Sequence, residues 1–207
     1  MTLPRSKWAL LAALFVVLVL LDQWTKFLAV ERLTTVFHQA GDLGIGEKLR
    51  GFFRYRHLES LATDPYYVYE PLWRMNYVEN PGAAWGLFRA FSPEFRNTFF
   101  TLVSLGAVAF ILRTYRRLRE DQRFLQLALV FVLSGAIGNF IDRLARRYVI
   151  DFVEWYWWKR PDVRWPTFNL ADSLIVVGVA MLVLHPGPHK DEARGAERRK
   201  EKEAGAA

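Results

Sequence analysis

The sequence contains no cysteine, so the chain has neither disulfide bonds nor a cysteine nucleophile of its own. Histidine is scarce as well, and the scatter of the four residues along the chain argues against a zinc site; they are His38, His57, His185 and His189. The G-x-S-x-G pattern of a serine nucleophile and the glycine-rich pattern of a phosphate-binding loop do not occur. These absences leave carboxylates and amides as the candidate functional groups, and no cofactor is expected.

The most prominent feature of the sequence is its long apolar stretches. Hydrophobic residues make up 52% of its 207 residues, and they are gathered into blocks rather than spread as amphipathic stripes. The four blocks cover residues 8–30, 95–112, 124–141 and 168–184. Each approaches the roughly 20 residues that a helix needs to cross a membrane. We therefore predict an α-helical membrane protein with four transmembrane helices, forming one domain over residues 1–184.

The charges between the blocks predict the orientation of the helices. Five arginines lie in the short connection between the second and third blocks: Arg113, Arg116, Arg117, Arg119 and Arg123. The positive-inside rule puts this connection and both termini in the cytoplasm, with residues 31–94 and 142–167 facing outward. The polar, charged tail over residues 185–207 is expected to be a disordered cytoplasmic segment. Because topology accounts for the net charge of +7, no nucleic-acid partner is expected.

The outward segment is predicted to carry a small β-rich element on the membrane surface. Residues 66–69 and 72–78 have the composition of strands and are bounded by turn formers. A sheet rich in tyrosine and tryptophan suits a surface that receives an extended peptide or a lipid, although a mobile loop is the alternative. The aromatic run over residues 149–158 is interpreted as an interfacial helix, because its side chains match the level of the lipid headgroups.

Polar residues near the first block and before the second have two interpretations each. Asp22 and Lys26 are one helical turn apart, so we predict an ion pair between them. The pair is either an anchor at the membrane edge or a brace beneath a functional site. Asn80, Pro81 and Gly82 indicate a turn in which glycine permits close approach of a substrate, or a turn with no further role.

The third block ends with small and polar residues. Gly135 and Gly138 lie near one face and are expected to permit tight helix packing. Asn139 and Asp142 are neighbours if the helix continues. Asp142 with Arg143 is interpreted either as a local charge pair at the interface or as part of a site.

Acidic residues recur between the third and fourth blocks. Asp151 lies in an apolar, aromatic stretch, where partial desolvation favours its protonated form. Asn169 can cap the fourth helix, with Asp172 in the first turn. The predicted topology puts five polar residues in one thin layer: Asn139, Asp142, Asp151, Asn169 and Asp172. Two carboxyl groups brought together there share one proton, so that one acts as general base and the other as general acid.

Four motifs follow one another along the apolar blocks. They are DQWTK from Asp22, NPGAAW from Asn80, GNFIDRLARRYVIDF from Gly138 and WPTFNLAD from Trp165. In this order they resemble the bacterial lipoprotein signal peptidases (signal peptidase II) over nearly the whole chain. The resemblance implies an aspartyl endopeptidase of the bacterial inner membrane, with its active site near the outer, periplasmic face. Its reaction removes signal peptides from prolipoproteins on the N-terminal side of a diacylglyceryl-modified cysteine.

The resemblance also implies roles for individual residues. Asp151 and Asp172 match the catalytic pair of the family, and Asp22 and Lys26 match a supporting motif. The substrate-binding positions are matched by Asn80, Gly82, Asn139, Asp142, Arg143 and Asn169. Membrane lipids are implied as partners, and so is inhibition by globomycin, a cyclic peptide that occupies the substrate path in the family.

The chain departs from the family pattern in two places. Arg147 stands where the family usually has glycine, which affects the turn that leads to Asp151. The segment before Asn80 is longer than expected, and an excursion over residues 47–71 would enlarge the surface sheet or shape substrate preference.

Two functions of other classes fit parts of the pattern. Aspartates within a membrane can bind a cation or a proton, as in a carrier or channel without catalytic activity. Gly135 and Gly138 could instead dock partner helices in an assembly factor. Ion flux that depends on Asp172 would indicate the first, and function without either aspartate would indicate the second.

Overall fold

The computed structural model describes residues 6–38, 41–82, 88, 90–158 and 160–185. Within these ranges the chain forms five α-helices and four β-strands, in the order α1 (Lys7–Leu33), α2 (Ile45–Arg54), β1 (Tyr66–Tyr69), β2 (Trp73–Asn80), α3 (Pro93–Arg117), α4 (Arg123–Arg146), β3 (Val149–Trp157), β4 (Arg160–Arg164) and α5 (Leu170–Leu184). The predicted disordered tail, apart from His185, lies outside the described residues.

Three of the helices, α1, α3 and α4, are long and apolar enough to cross a membrane. They correspond to the first three apolar blocks. Helix α5 is apolar too, but its 15 residues fall short of the roughly 20 that a crossing needs. The described residues therefore agree with the predicted helical membrane protein, since they contain three helices that are able to cross a membrane, and the fourth crossing stays a prediction.

Helix α4 is the centre of the bundle and packs against α1, α3 and α5. The closest approach is to α5, where small residues remove the side chains that would separate the two backbones. A Cβ atom on Gly135 would lie 2.3 Å from the carbonyl oxygen of Ala171, and one on Gly178 would lie 2.7 Å from that of Ala128. The predicted tight packing at Gly135 is thus confirmed, and α5 is held directly against α4.

The two ends of the bundle differ in character. At one end, the Nζ atom of Lys7 donates a hydrogen bond of 3.1 Å to the carbonyl oxygen of Arg116, so the start of α1 meets the arginine-rich connection between α3 and α4. At the other end, α1 and α4 pack against the sheet. The four polar motifs are concentrated at this second end.

The sheet is antiparallel with the order β1-β2-β3-β4. Strands β1 and β2 confirm the two predicted strands. The interfacial helix predicted over residues 149–158 is wrong, because this run forms β3 and continues into the hairpin with β4. Its β-branched residues suit a strand, and β2 supplies the pairing partner, with Val78 opposite Asp151.

Helix α2 was not predicted from the sequence, and Gly44 and Gly46 at its start are weak helix formers. It begins where the side chain of Glu47 accepts a hydrogen bond of 3.0 Å from the backbone N–H of Gly44. The ring of Phe52 then inserts into a core with Phe27, at 5.8 Å between ring centres. Burial of such an aromatic ring outweighs the weak local preference for helix, and it places α2 beside the polar end of the bundle.

Candidate active site

Asp151 lies in β3 at the centre of the polar cluster and is only 1% exposed. Its carboxyl oxygens accept hydrogen bonds from the side-chain amides of Asn169, at 2.7 Å, and Asn80, at 2.9 Å. Burial, together with the charge of Asp172, raises the pKa of Asp151 to about 8. The protonated form of Asp151 is therefore favoured, as the sequence predicts.

Asn80 is the last residue of β2, and the turn after it fixes the orientation of its amide group. The backbone N–H of Gly82 donates a hydrogen bond of 3.1 Å to Oδ1 of Asn80, which leaves the Nδ2 group to face Asp151. The rest of this motif, residues 83–85, lies outside the described residues. Asn80 and Gly82 thus belong to the cluster, the first through its side chain and the second through its backbone.

Asp172 lies in the first turn of α5, where Asn169 is the capping residue. The backbone N–H of each residue bonds to the side chain of the other, at 3.0 and 3.2 Å, so the predicted cap is confirmed. The Nδ2 group of Asn139 donates a further hydrogen bond of 2.8 Å to Oδ1 of Asp172. Asn169 and Asp172 therefore cap helix α5 and also belong to the polar cluster.

Two amides connect the two carboxyl groups. The Nδ2 group of Asn169, which bonds to Asp151, also lies 3.1 Å from Oδ1 of Asn139, and Asn139 in turn bonds to Asp172. The chain of contacts runs from Asp151 through Asn169 and Asn139 to Asp172. The amides hold the two carboxyl groups in one site, where the charge of Asp172 acts on Asp151 and disfavours ionisation of both groups together.

Asp22 and Lys26 form the predicted ion pair at 2.8 Å, and both side chains are fully buried. The Nζ atom of Lys26 donates to Oδ1 of Asn139 at 3.1 Å, so the amide of Asn139 has to present its Nδ2 group to Asp172. Oδ1 of Asp22 accepts a hydrogen bond of 3.0 Å from the backbone N–H of Ala171. Because these contacts are buried, they favour the interpretation that Asp22 and Lys26 brace the site over the interpretation that they anchor the helix at the membrane edge.

The interpretation of Asp142 and Arg143 as a local charge pair is wrong. Adjacent residues on a helix do not face each other, and Asp142 instead pairs with Lys26 and Arg146, both at 2.9 Å. Oδ2 of Asp142 also accepts a hydrogen bond of 3.2 Å from the backbone N–H of Ile150. Asp142 therefore holds the first part of β3 in place through Ile150, the residue that precedes Asp151.

Arg143 extends toward the other side of the site. Its guanidinium lies 4.9 Å above the ring centre of Phe100 in α3, and it donates a weak hydrogen bond of 3.4 Å to the carbonyl oxygen of Asn139. Its positive charge attracts three acidic residues of the cluster, Asp172, Asp142 and Asp151. Arg143 thus supplies a cation beside the carboxyl groups.

Two buried residues of the cluster were missed in the sequence. Gln23 donates hydrogen bonds to Asp142, at 3.3 Å, and to the carbonyl oxygen of Gly138, at 3.2 Å. Arg146 lies four residues after Asp142, a spacing that predicts contact on a helix and could have revealed it. No group of three or more acidic, histidine or cysteine side chains suited to a metal ion occurs within the described part of the chain.

Comparison with known proteins agrees with the motif pattern. Residues 14–186 match the family model of signal peptidase (SPase) II. A lipoprotein signal peptidase of Anaeromyxobacter sp. (strain Fw109-5) is 73% identical over 187 residues, which are 90% of this chain and 89% of that protein. A lipoprotein signal peptidase of Desulforapulum autotrophicum is 34% identical over 82% of this chain and 86% of its own.

Solved structures support the fold. A bacterial membrane enzyme determined by the in meso method at 2.3 Å resolution superposes with a TM-score of 0.57 at 24% identity, covering 84% of this chain and 85% of its own. A second structure of this description, at 1.9 Å, gives the same score and identity. The arrangement of helices and sheet is therefore one that occurs in a membrane enzyme.

Proposed function

Because the chain belongs to the signal peptidase II family, we propose that it removes signal peptides from prolipoproteins with Asp151 and Asp172 as the catalytic pair. The observation that carries the proposal is the link between these two carboxyl groups through Asn169 and Asn139. Two carboxyl groups that share a proton provide the general acid and the general base that hydrolysis of an amide requires.

The surroundings of the pair suggest which carboxyl group has which role. Asp151, with its raised pKa, holds the shared proton and donates it to the carbonyl oxygen of the peptide bond that is cut. Asp172 lies at the N-terminus of α5, where the helix dipole favours negative charge. It takes a proton from a water molecule as the water oxygen bonds to the carbonyl carbon. Collapse of the tetrahedral intermediate breaks the C–N bond: the proton held by Asp172 passes to the leaving amine, and one hydroxyl of the intermediate returns a proton to Asp151 as the new C=O bond forms.

The remaining polar side chains hold the substrate and the pair in place. We assign contact with the substrate backbone to Asn80 and Arg143, which reach the site from β2 and from α4. The neighbouring positions Gly82, Asn139, Asp142 and Asn169 maintain the geometry, and Asp22 and Lys26 brace them from below. The bond cut is that on the N-terminal side of a diacylglyceryl-modified cysteine, whose acyl chains lie among the membrane lipids.

The proposed location is the bacterial inner membrane, with both termini in the cytoplasm and the aspartates near the periplasmic face. Residues 1–184 then form a single membrane peptidase domain. The support is the contact between Lys7 and the arginine-rich α3–α4 connection, because basic residues remain on the cytoplasmic side. A globomycin-type cyclic peptide is proposed to inhibit by occupying the substrate path.

The purified protein in lipid tests this proposal with two matched substrates. A prolipoprotein whose cysteine carries diacylglycerol should be cut before that cysteine, and globomycin should block the reaction. The same precursor without the lipid should be cut far more slowly. Equal cleavage of the two precursors, or cleavage at another bond, would contradict the proposed substrate.

A further inference from the structure

Arg146 is an arginine that is nearly fully buried at the end of α4, with 2% of its surface exposed. One arm of its guanidinium binds Oδ1 of Asp142 at 2.9 Å. The Nε and second terminal nitrogen both donate to the carbonyl oxygen of Phe52, at 3.1 and 2.8 Å. The guanidinium also lies 4.0 Å above the ring centre of Phe52 and 5.4 Å from that of Phe53.

These contacts join α2 to the polar cluster. Phe52 is in the last turn of α2, where backbone carbonyl groups lack a partner within the helix and attract a cation. Asp142, which also binds the guanidinium of Arg146, accepts a hydrogen bond of 3.2 Å from the backbone N–H of Ile150. The path from α2 to the residue beside Asp151 therefore consists of hydrogen bonds that water does not reach.

We propose that Arg146 is a positioning residue that couples the docking of α2 to the placement of Asp151. It acts through Asp142 and does not touch the reacting atoms. The inference rests on the proposed catalytic role of Asp151. Arginine suits this position because its planar fork can bind two acceptors in fixed directions, whereas a lysine ammonium group is a single flexible point charge.

The coupling can be measured on the purified full chain with Arg146→Met. The substitution keeps an unbranched apolar side chain and removes the guanidinium group. We expect kcat for the lipid-modified precursor to fall by about tenfold, less than the ~10²-fold that a 1 Å misplacement can cost, while KM changes by less than about twofold. Amide hydrogen exchange in residues 45–54 should become faster. Arg54→Met, which removes an exposed arginine from α2 itself, should leave kcat unchanged.

A double-mutant cycle separates positioning from simple stabilisation. If Arg146 acts through Asp142, adding Arg146→Met to Asp142→Asn should lower kcat by less than about twofold. A full tenfold further loss would overturn the proposal, and so would an Arg146→Met variant that unfolds at lower temperature but keeps its kcat. Should Arg146→Met fail to fold, Arg146→Lys provides the same comparison, with unchanged kcat and unchanged exchange in α2 as the contrary result. Failure of the parent protein to cut the precursor would instead reject the proposed function.

Discussion

Single residues determine the pH range in which the site can work, and Asp151 is the clearest case. Its pKa is raised to about 8 by burial and by the charge of Asp172, so the carboxyl group is protonated below that pH and ionised above it. Loss of this proton leaves two charged carboxylates and no general acid. We therefore expect kcat to be nearly constant toward neutral pH and to fall about tenfold per pH unit above pH ~8.

The measurement is a profile of kcat against pH in a mixed buffer. Thermal unfolding recorded over the same range serves as the control, because loss of folded protein would imitate the effect. A kcat that rises through this range in folded protein would contradict the shared-proton account.

Arg147 has a backbone conformation that is unfavourable for a residue with a side chain. It follows α4 with φ at 68° and ψ at 11°, in the left-handed region, where residues other than glycine pay about 1–2 kcal/mol. The resemblance to the family led us to expect glycine here. Because Arg147 is exposed, we expect Arg147→Gly to raise the free energy of unfolding by about 1 kcal/mol.

Thermal unfolding in detergent measures this gain. Arg117→Gly provides the matched control, since it also removes an exposed arginine, but from the last turn of α3, where the backbone is helical and glycine relieves no strain. Equal destabilisation by both substitutions would show that the backbone at Arg147 is not strained.

Helices and strands were predicted from the sequence to different degrees, for physical reasons. Long apolar runs are typical of buried or membrane-crossing helices, so α1, α3 and α4 were predicted, although α3 and α4 extend five residues beyond the predicted blocks at their C-terminal ends. The run that forms β3 is apolar and aromatic without a clear period, and only its pairing with β2 decides its structure. Helix α2 depends on contacts of Phe52 that lie far away in sequence.

The residues of the site were also predicted from the sequence to different degrees. Motif order led to the proposal of Asp151 and Asp172 as the catalytic pair, whereas spacing along a helix correctly predicted the ion pair of Asp22 and Lys26. The partners of Asp142 were misassigned, because they come from α1 and from the next helical turn rather than from the adjacent residue. Contacts between distant segments are not encoded in local patterns.

The contact of helix α4 with α1 and α5 at Gly138 gives a prediction at the level of elements. A Cβ atom on Gly138 would lie 2.4 Å from Oδ2 of Asp22 and 3.3 Å from Cβ of Ala171. Gly138→Ala should therefore displace the carboxyl group of Asp22, break its bond with the N–H of Ala171, and cost about 1–3 kcal/mol of stability together with most of the activity.

Gly106→Ala is the control for this substitution. Gly106 lies within α3, and a Cβ atom there would meet nothing within 4 Å, so alanine should stabilise its helix by roughly 0.5–1 kcal/mol. Unfolding temperature and cleavage rate are measured for both variants. If Gly138→Ala behaves like Gly106→Ala, close packing at Gly138 does not hold the site together.

The orientation of the whole molecule can be tested because the chain has no cysteine of its own. Val163 is 47% exposed in β4, and Arg117 is exposed at the opposite, basic end. In intact spheroplasts, Val163→Cys should react with a membrane-impermeant maleimide, while Arg117→Cys should react only after permeabilisation. The reverse pattern would put the aspartates on the cytoplasmic side and contradict the proposed topology.

The central claim for the molecule is that two linked aspartates cut the substrate as one unit. The most direct measurement is the single-turnover rate on a diacylglyceryl-modified prolipoprotein for Asp151→Asn, Asp172→Asn and the double variant. Asp121→Asn, at an exposed acid that pairs with Arg119, is the control. We predict a loss of about a thousandfold for each single variant, no further loss in the double variant, and parental activity in the control. A single variant that is inserted and folded yet cuts at the parental rate would contradict the claim.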